Sequence, residues 1–378
     1  MRRPQSLVFA VFAGPSGGHL FPALAFSESL KTKHPEARIF FITSHKGKAL
    51  TDGFPPGIFE EIIFIENFPS SPGISLRTFT FLLKLARAFT ESFRSLSRIK
   101  PDMSIGFGSY VSFPGLILSS WKKIPTLIHE QNQVPGKANV WLAGHVDAVA
   151  VSFKDTFQRK SPVCLSFTGL PIRKTLVDAA ENREKTAGFE TSGMMRRFRV
   201  LVVGGSQGAK FLNQTVLKAF SHLSPEEKEE FAVTHITGKT DFEAVSEMYR
   251  AASFNARVFP FFEKMEALYA ETDLAVCRAG ANTLFELALF QVPAIVVPYP
   301  HAGGHQLENA TEFVNRQAVF CEPESVLTDE RLISLIRKLK TDETLRARMS
   351  SAMKAAAVPD APERLVELAI ANLKGQQP

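Results

Sequence analysis

"RFRVLVVGGSQGAKFLNQTVLKAF", residues 197–220, starts again what "LVFAVFAGPSGGHLFPALAFSESLKTK", residues 7–33, began: a short apolar run, a glycine-rich turn, then apolar residues at helical spacing. Each reads as a buried strand feeding a helix, an arrangement whose backbone amides and helix dipole can hold an anion. Between the two, "RIFFIT", "FEEIIFI", "MSIGFGSY", "PTLIHE", "VDAVAVS" and "VCLSFTG" are further short apolar runs separated by helical stretches. After the second come "FAVTHITG", "ARVFPFF", "LAVCRAG", "VPAIVVPYP" and "QAVFCEP". Strands alternating with helices build parallel sheet from βαβ units, so the fold class is α/β, with two doubly wound domains in tandem. A ligand site is expected in the cleft between the carboxyl ends of their strands. Residues 178–197, "DAAENREKTAGFETSGMMRR", are polar and aperiodic and mark the junction region, and "DAPERLVELAIANLKG" is a terminal amphipathic helix that could pack on either domain.

A chain of 378 residues exceeds what one core fills, and 45% hydrophobic with 22% charged residues is the composition of a globular enzyme. Cys164, Cys277 and Cys321 are far apart, odd in number and outside any CxxC pair, which argues for a reducing compartment and against a disulfide framework. The apolar run after Arg2 and Arg3 leads straight into the glycine turn, so it reads as a first strand rather than a signal peptide. No stretch approaches the roughly 20 apolar residues of a membrane span. Residues 1–175 carry 21 Lys and Arg against 11 Asp and Glu, a charge of +10, whereas the remainder carries 23 against 27, or −4. A basic first half suits an anionic surface or substrate. With no zinc-finger spacing and no aromatic RNA-binding signature, nucleic acid is not the expected partner.

Several stretches carry polar groups at strand ends. "GPSGGH" lacks the G-x-G-x-x-G spacing, and no acidic residue ends the following strand, so a nicotinamide cofactor is not expected; the turn is either a site or only a turn. "GGSQGA" would put Ser206 and nearby amides at a helix amino end, suited to a diphosphate. In "CRAGANTLFELALFQVP", Glu286 falls one to two turns into a helix beginning near Ala281 and Asn282 and is either a partner for two ribose hydroxyls or a surface glutamate. "HEQNQVPG", residues 129–136, packs four polar side chains at a strand's carboxyl end but lacks the second histidine of a zinc motif. His301 and His305 flank two glycines, which favours a loop over a metal pair, and no D-x-D occurs, so no metal is expected and a diphosphate would be held by amides, helix dipoles and cations. In residues 75–100, Phe79, Leu82, Leu83, Ala86, Phe89, Phe93 and Leu96 follow helical spacing and predict a core face; Leu76, Phe81 and Leu85 lie off it among Arg77, Lys84 and Arg87, a pattern that also suits anionic lipid.

Taken in order, "GPSGGHLFPALA", "GFGSYVSFPG", "IPTLIHEQNQVPGKAN", "GLPIR", "LVVGGSQGAKFLNQ", "AVCRAGANTLFELA" and "PAIVVPYPHAGGHQLENA" resemble the MurG family of bacterial transferases, which add N-acetylglucosamine to lipid I to make lipid II. The resemblance covers nearly the whole chain and implies the GT-B arrangement of two Rossmann-like domains: residues 1–175, completed by a C-terminal helix at about 358–376, on the acceptor and membrane side, and residues 176–357 for UDP-N-acetylglucosamine. It implies Glu286 at the ribose, the backbone near Phe262 at the uracil, and Ser206 at the diphosphate. Asn282, Thr283 and Gln306 fall at the phosphate and sugar, within a donor-binding run Ala281, Asn282, Thr283, Leu284, Phe285 and Glu286. From the first domain Ser16, Gly17, Gly18 and Asn132 would close over the donor, with Arg173 near the junction. Pro15 and Ser16 replace the family's usual Gly and Thr, and His305 stands where a second glutamine is common. His19 is then the expected general base for the acceptor's 4-hydroxyl in an inverting, metal-independent transfer, its pKa lowered by the helix amino end, with Glu130 as its competitor. The resemblance also implies an undecaprenyl-linked acceptor and peripheral attachment to the anionic cytoplasmic face of the bacterial inner membrane. Two other functions fit the same pattern: a UDP-N-acetylglucosamine 2-epimerase and a non-catalytic sugar-nucleotide-binding subunit that recruits a membrane partner.

Overall fold

Each apolar run read from the sequence is a strand, and each strand lies parallel to its neighbours. The computed structural model describes residues 6–66, 77–157, 165–186, 196–205, 208–300 and 304–375. By contact the chain divides into two compact units, Met1–Lys174 with Val358–Pro378, and Thr175–Ala357.

In the first unit the order is β1 (Val8–Ala13), α1 (Gly17–Lys33), β2 (Arg38–Ser44), α2 (Lys48–Thr51), β3 (Glu61–Ile65), α3 (Arg77–Ile99), β4 (Met103–Phe107), α4 (Ser109–Trp121), β5 (Thr126–Glu130), α5 (Lys137–Leu142), β6 (Ala148–Val151) and β7 (Leu165–Phe167). The sheet order is β3-β2-β1-β4-β5-β6-β7. Strands buried on both faces need no polar alternation, which is why "VFAVFA" and "MSIGF" are almost wholly apolar. Phe9, Val11 and Ala13 of β1 pack with Leu20, Ala23 and Phe26 of α1 on one face, and Ala10 and Phe12 pack with Val111 of α4 on the other.

The second unit runs from α6 (Lys174–Thr186), which starts at its edge, through β8 (Phe198–Val203), α7 (Lys210–Ser221), α8 (Pro225–Glu229), β9 (Phe231–Ile236), α9 (Phe242–Ala251), β10 (Ala256–Phe259), α10 (Met265–Glu271), β11 (Leu274–Cys277), α11 (Ala281–Leu289), β12 (Ala294–Val296), α12 (His305–Asn315), β13 (Val319–Cys321), α13 (Asp329–Thr341) and α14 (Glu343–Ala356). Its sheet order, β10-β9-β8-β11-β12-β13, repeats the Rossmann-like pattern of the first. The polar residues 178–186 of the expected junction are helical, and residues 187–195 lie outside the described set. The last helix, α15 (Ala361–Leu373), belongs to the first unit, where Leu365, Val366, Leu368 and Ala369 join the core beside α1. Each such leucine or valine contributes about 1.5–3 kcal/mol when fully buried. Cys277 and Cys321 are free thiols, and Cys164 lies outside the described residues.

One helix departs from its predicted orientation. On α3 the expected core face is largely outside: Leu82, Leu83 and Phe93 are 53%, 55% and 49% exposed, and Ala86 is exposed too. Leu96 is buried and Phe89 half-buried as expected, while the side chains of residues 77–79, Phe79 among them, and all of Leu76 are outside the described set. The buried stripe is Ala88, Ser92, Ser95, Leu96 and Ile99. Small side chains one and two turns apart let α3 approach closely, and the larger apolar side chains are left facing outward.

Candidate active site

In the first unit β1 and β4 are adjacent, yet the chain leaves them for helices on opposite faces, which opens a crevice at their carboxyl ends. The loop after β1 enters α1 there with Ser16 as N-cap. The Ser16 carbonyl accepts from His19 N and Leu20 N, both at 3.0 Å, and its hydroxyl makes no cap bond. Ser16 and Gly18 are exposed, Gly17 is buried and His19 half-buried. The His19 ring sits between two glycines from different strands. A Cβ on Gly14 would lie 2.6 Å from its Cδ2, and one on Gly108, where φ is +75°, would lie 3.1 Å from its Nδ1 and Cε1. Only glycine at both positions lets the imidazole occupy this slot.

The carboxyl end of β5 and the loop that follows carry "HEQN". His19 Nδ1 is 3.3 Å from Gln131 Oε1. Gln131 Nε2 is 3.3 Å from His129 Nδ1 and 3.2 Å from the His129 carbonyl, and His129 Nε2 is 3.0 Å from the Gly169 carbonyl. Burial lowers the His19 pKa below the ordinary 6.5, against the opposing field of Glu130 and hydrogen bonds to Gln131 and the Phe107 backbone. The direction is the expected one, and burial is its largest cause. His129 is wholly buried and pushed down to about 4, so it is neutral.

Glu130 has a different part. Its Oε1 accepts from Asn132 N at 2.9 Å and Asn132 Nδ2 at 3.3 Å, and its Oε2 accepts from Gly136 N at 3.0 Å and Asn139 Nδ2 at 2.7 Å. Both oxygens of this buried carboxylate are thus engaged, by donors of the loop that follows it and of α5. Asn132, half-buried, is turned toward this carboxylate. Arg173 is half-buried with its guanidinium 4.5 Å over the ring of Phe21 on α1.

In the second unit β8 and β11 are adjacent and are followed by the two glycine turns read from the sequence. Gly205 and Gly208 have φ of +86° and +77° on the way into α7, and Ser206 lies outside the described residues. Gly280 caps α11, whose first two turns hold the other expected residues. Asn282 and Thr283 are half-buried; Ala281, Leu284, Phe285 and Glu286 are buried. The side chains of Leu284 and Phe285 belong to the core, Phe285 edge-on to Phe313 at 5.6 Å, so only their backbone is available to a ligand. Glu286 is not a surface glutamate: the buried Tyr269 hydroxyl donates to its Oε2 at 2.8 Å. Phe262 is half-buried against Phe259, ring centroids 4.8 Å apart. Gln306, in the first turn of α12, accepts from Tyr299 N at 3.0 Å through Oε1. Buried Arg278, which follows β11, is ion-paired with Glu324 and donates to the Val297 carbonyl at 3.1 Å, bracing the backbone that leads to Tyr299.

Sequence reasoning missed Gln131, His129, Asn139, Arg278 and Tyr269 as organising residues. "HEQN" had marked the first two as polar company, but Tyr269 is 17 positions from its partner and leaves no local signal. Among the described residues one His and acidic cluster has metal-like proximity, His222, Asp329 and Glu330. It stands at the carboxyl end of α7, whose amino end carries the glycine turn, and His222 is there an ion-pair partner of Asp329 at 2.8 Å.

Residues 9–151 match the glycosyltransferase family 28 N-terminal domain, and residues 199–365 match the glycosyltransferase family 28 C-terminal domain. A Thermodesulfovibrio yellowstonii protein named UDP-N-acetylglucosamine–N-acetylmuramyl-(pentapeptide) pyrophosphoryl-undecaprenol N-acetylglucosamine transferase is 35% identical over 369 residues, 96% of this chain and 98% of that protein. A Halothermothrix orenii protein of the same name is 34% identical over 386 residues, 98% of this chain and all of its own. The crystal structure of Acinetobacter baumannii MurG superposes with a TM-score of 0.72 at 30% identity, covering 97% of this chain and 99% of that one. A UDP-N-acetylglucosamine 2-epimerase structure reaches 0.68 at 14% identity, covering 99% and 98%, a likeness of fold alone.

Proposed function

The chain belongs to the MurG family within glycosyltransferase family 28, and from that premise we infer that it moves N-acetylglucosamine from UDP-N-acetylglucosamine to the muramyl sugar of an undecaprenyl-diphosphate-linked acceptor, forming lipid II for peptidoglycan. The observation that carries the reading is full-length relatedness at 35% identity, with a strand-turn-helix site in each unit. The 2-epimerase reading has only the shared fold behind it, and a recruiting subunit would have no use for the base-like setting of His19.

The chemistry is a single displacement with inversion. The acceptor's 4-hydroxyl oxygen attacks the anomeric carbon, the bond from that carbon to the β-phosphate oxygen breaks, UDP leaves with the electron pair, and His19 Nε2 takes the hydroxyl proton. Glu130 holds the "HEQN" loop, and its negative field favours the imidazolium that forms. In the second unit Glu286 accepts from the ribose hydroxyls and the backbone near Phe262 meets the uracil. Asn282, Thr283 and Gln306 serve the phosphate and sugar, and Ser206 the diphosphate. Ser16, Gly17, Gly18, Asn132 and Arg173 are assigned to the donor from the first unit. No metal or cofactor enters the scheme; amides, helix dipoles and cations meet the diphosphate charge.

Membrane attachment is assigned to the outward ridge of α3, α4 and α5. Ring contacts run from Phe89 to Phe113 at 6.2 Å and on to Trp141 at 5.0 Å. Leu82, Leu83, Phe93, Trp121, Val140 and Trp141 are exposed around them, with Lys122 4.4 Å over the Phe93 ring and Arg94, Lys123 and Lys137 nearby on the same helices and their ends. Apolar side chains ringed by cations suit an anionic leaflet, on its cytoplasmic side, where the nucleotide sugar is found. No helix among the described residues is long and apolar enough to cross a membrane. The test is transfer of labelled N-acetylglucosamine from UDP to a lipid I analogue with chelator present. Labelled lipid product is expected; interconversion of the sugar nucleotide without lipid product would sink the transferase reading.

A further inference from the structure

We propose that Gln131 and His129 are positioning residues that set the tautomer of His19, so that the ring's Nε2, rather than its Nδ1, is the atom able to accept a proton. The proposal rests on the reading of His19 as the base and adds what makes one nitrogen of its ring competent.

The argument starts at a group with no choice. A backbone carbonyl only accepts, so the Gly169 carbonyl, 3.0 Å from His129 Nε2, requires a hydrogen on that nitrogen. Ser152 Oγ, 3.5 Å from the same nitrogen, gives its own hydrogen to the Glu130 carbonyl at 3.1 Å and leaves the assignment unchanged. A neutral imidazole has one N–H, and His129 is buried in surroundings that keep it neutral, so its Nδ1 is an acceptor. Two acceptors, His129 Nδ1 at 3.3 Å and the His129 carbonyl at 3.2 Å, then face one end of the Gln131 amide, and that end must be the NH2. The other end is the amide oxygen, 3.3 Å from His19 Nδ1, and it too only accepts. Through this chain the hydrogen is called to His19 Nδ1, the nitrogen that the Gln131 oxygen faces, and the lone pair of the neutral ring then lies on Nε2; the Phe107 backbone, which also favours the protonated ring, is a further acceptor beside it.

Each link is buried or held by backbone: His129 has no exposed surface, Gln131 is buried, and the glycines at 14 and 108 confine the His19 ring. The orientation of every group follows from Gly169, 38 positions beyond Gln131 in the sequence. The charged group whose field bears on His19 is Glu130, and it is held by its own loop. A third residue that fixes an imidazole's tautomer is a recurring device in acid–base catalysis, and loss of it can be as costly as loss of the base itself.

The experiment is nitrogen-15 spectroscopy of histidine-labelled full-length protein near pH 7.5, with His19 assigned by the signal lost in His19→Ala, combined with steady-state kinetics of Gln131→Met. Wild-type His19 is expected to show a protonated Nδ1 and an unprotonated Nε2. In Gln131→Met, a near-isostere without the amide, the Nδ1–H population should fall. Turnover should drop about tenfold to a hundredfold with donor KM within about threefold. The acid limb of its rate profile should move to lower pH, because a hydrogen bond that favours protonated His19 is gone. A merely structural residue would not move the tautomer or the limb. A wild-type His19 protonated on Nε2, seen without any variant, overturns the proposal, as does a folded Gln131→Met enzyme with the wild-type tautomer. If the tautomer changes and turnover does not, the tautomer assignment stands, but His19 is not the base and Gln131 has no positioning role in the reaction.

Discussion

Tyr269 reaches across from α10 to hold Glu286 of α11: its hydroxyl donates to Oε2 at 2.8 Å, and both residues are buried. The hydrogen bond favours one orientation of this buried carboxylate. Where Glu286 receives the ribose, Tyr269→Phe should raise KM for UDP-N-acetylglucosamine about fivefold to tenfold, corresponding to about 1–1.5 kcal/mol for one hydrogen bond, with kcat within about twofold. Steady-state kinetics with the donor varied measures it, and an unchanged KM would count against the assignment.

Glu130→Gln should behave as a damaged loop rather than as a missing base. Two backbone donors and two amide donors lose a charged partner, and the replacement NH2 opposes two of them. We expect a loss of about 2–4 kcal/mol in urea unfolding and faster amide exchange at Asn132 and Gly136, with the acid limb of the remaining activity still that of His19. Wild-type stability with abolished turnover would restore Glu130 to the chemistry.

Two buried histidines link stability to pH. His129 is held down to about 4 and His235 to about 3 by burial, His235 resting on Tyr249 at 3.1 Å and Asn213 at 3.0 Å. Their unfolded forms take up a proton near 6.5, so between that pH and the folded values the unfolded chain binds more protons and stability rises with pH. The contribution is complete above about pH 7 and is lost as pH falls from about 6.5 toward 4, on the order of 3 kcal/mol for His129 alone. Urea midpoints at pH 7.5 and pH 5 should differ accordingly, and the difference should shrink in His235→Asn.

Gly108→Ala should fold and lose activity. The methyl would sit 3.1 Å from the His19 ring at a backbone φ of +75°, which costs about 1–2 kcal/mol and displaces the imidazole. Turnover is expected to fall more than about tenfold with donor KM little changed, since a misplaced catalytic group costs rate before binding. A rate within twofold of wild type would show that His19 does not depend on this slot.

For the α3–α5 ridge the expected outcome is separation of membrane binding from chemistry. Replacing Leu82, Leu83 and Trp141 by serine removes three exposed apolar side chains, each worth about 1.5–3 kcal/mol if buried in lipid. Flotation with anionic vesicles should weaken at least about tenfold, while transfer to a water-soluble acceptor analogue stays within about twofold. Binding to vesicles that is independent of both these residues and lipid charge would remove the ridge from the account.

The strands, the two glycine turns and the helices after them were legible because a parallel strand buried on both faces writes itself as an unbroken apolar run, and a turn at its carboxyl end needs glycine. "HEQN" was visible as a polar cluster at the end of β5 for the same reason. The outward face of α3 was not: helical spacing in "TFLLKLARAFTESF" shows that apolar residues share a side, but both a core and a membrane surface ask for such a side. What decided it was which side the neighbouring elements cover: they bury the small Ala88, Ser92 and Ser95 of α3 and leave Leu82, Leu83 and Phe93 outward.

The sequence by itself determined the α/β class, the tandem repeat of doubly wound halves and the addresses of the candidate site, since each depends on local periodicity and turn chemistry. Only the tertiary structure decided that both oxygens of Glu130 are engaged by backbone and amide donors and that the His19 ring is confined between Gly14 and Gly108. It also decided that Tyr269 donates to Glu286 and that Gln131 stands between His129 and His19, the contacts on which the tautomer proposal rests. A proton's place is settled by donors and acceptors brought together from distant positions, and no local pattern along the chain encodes which groups those will be.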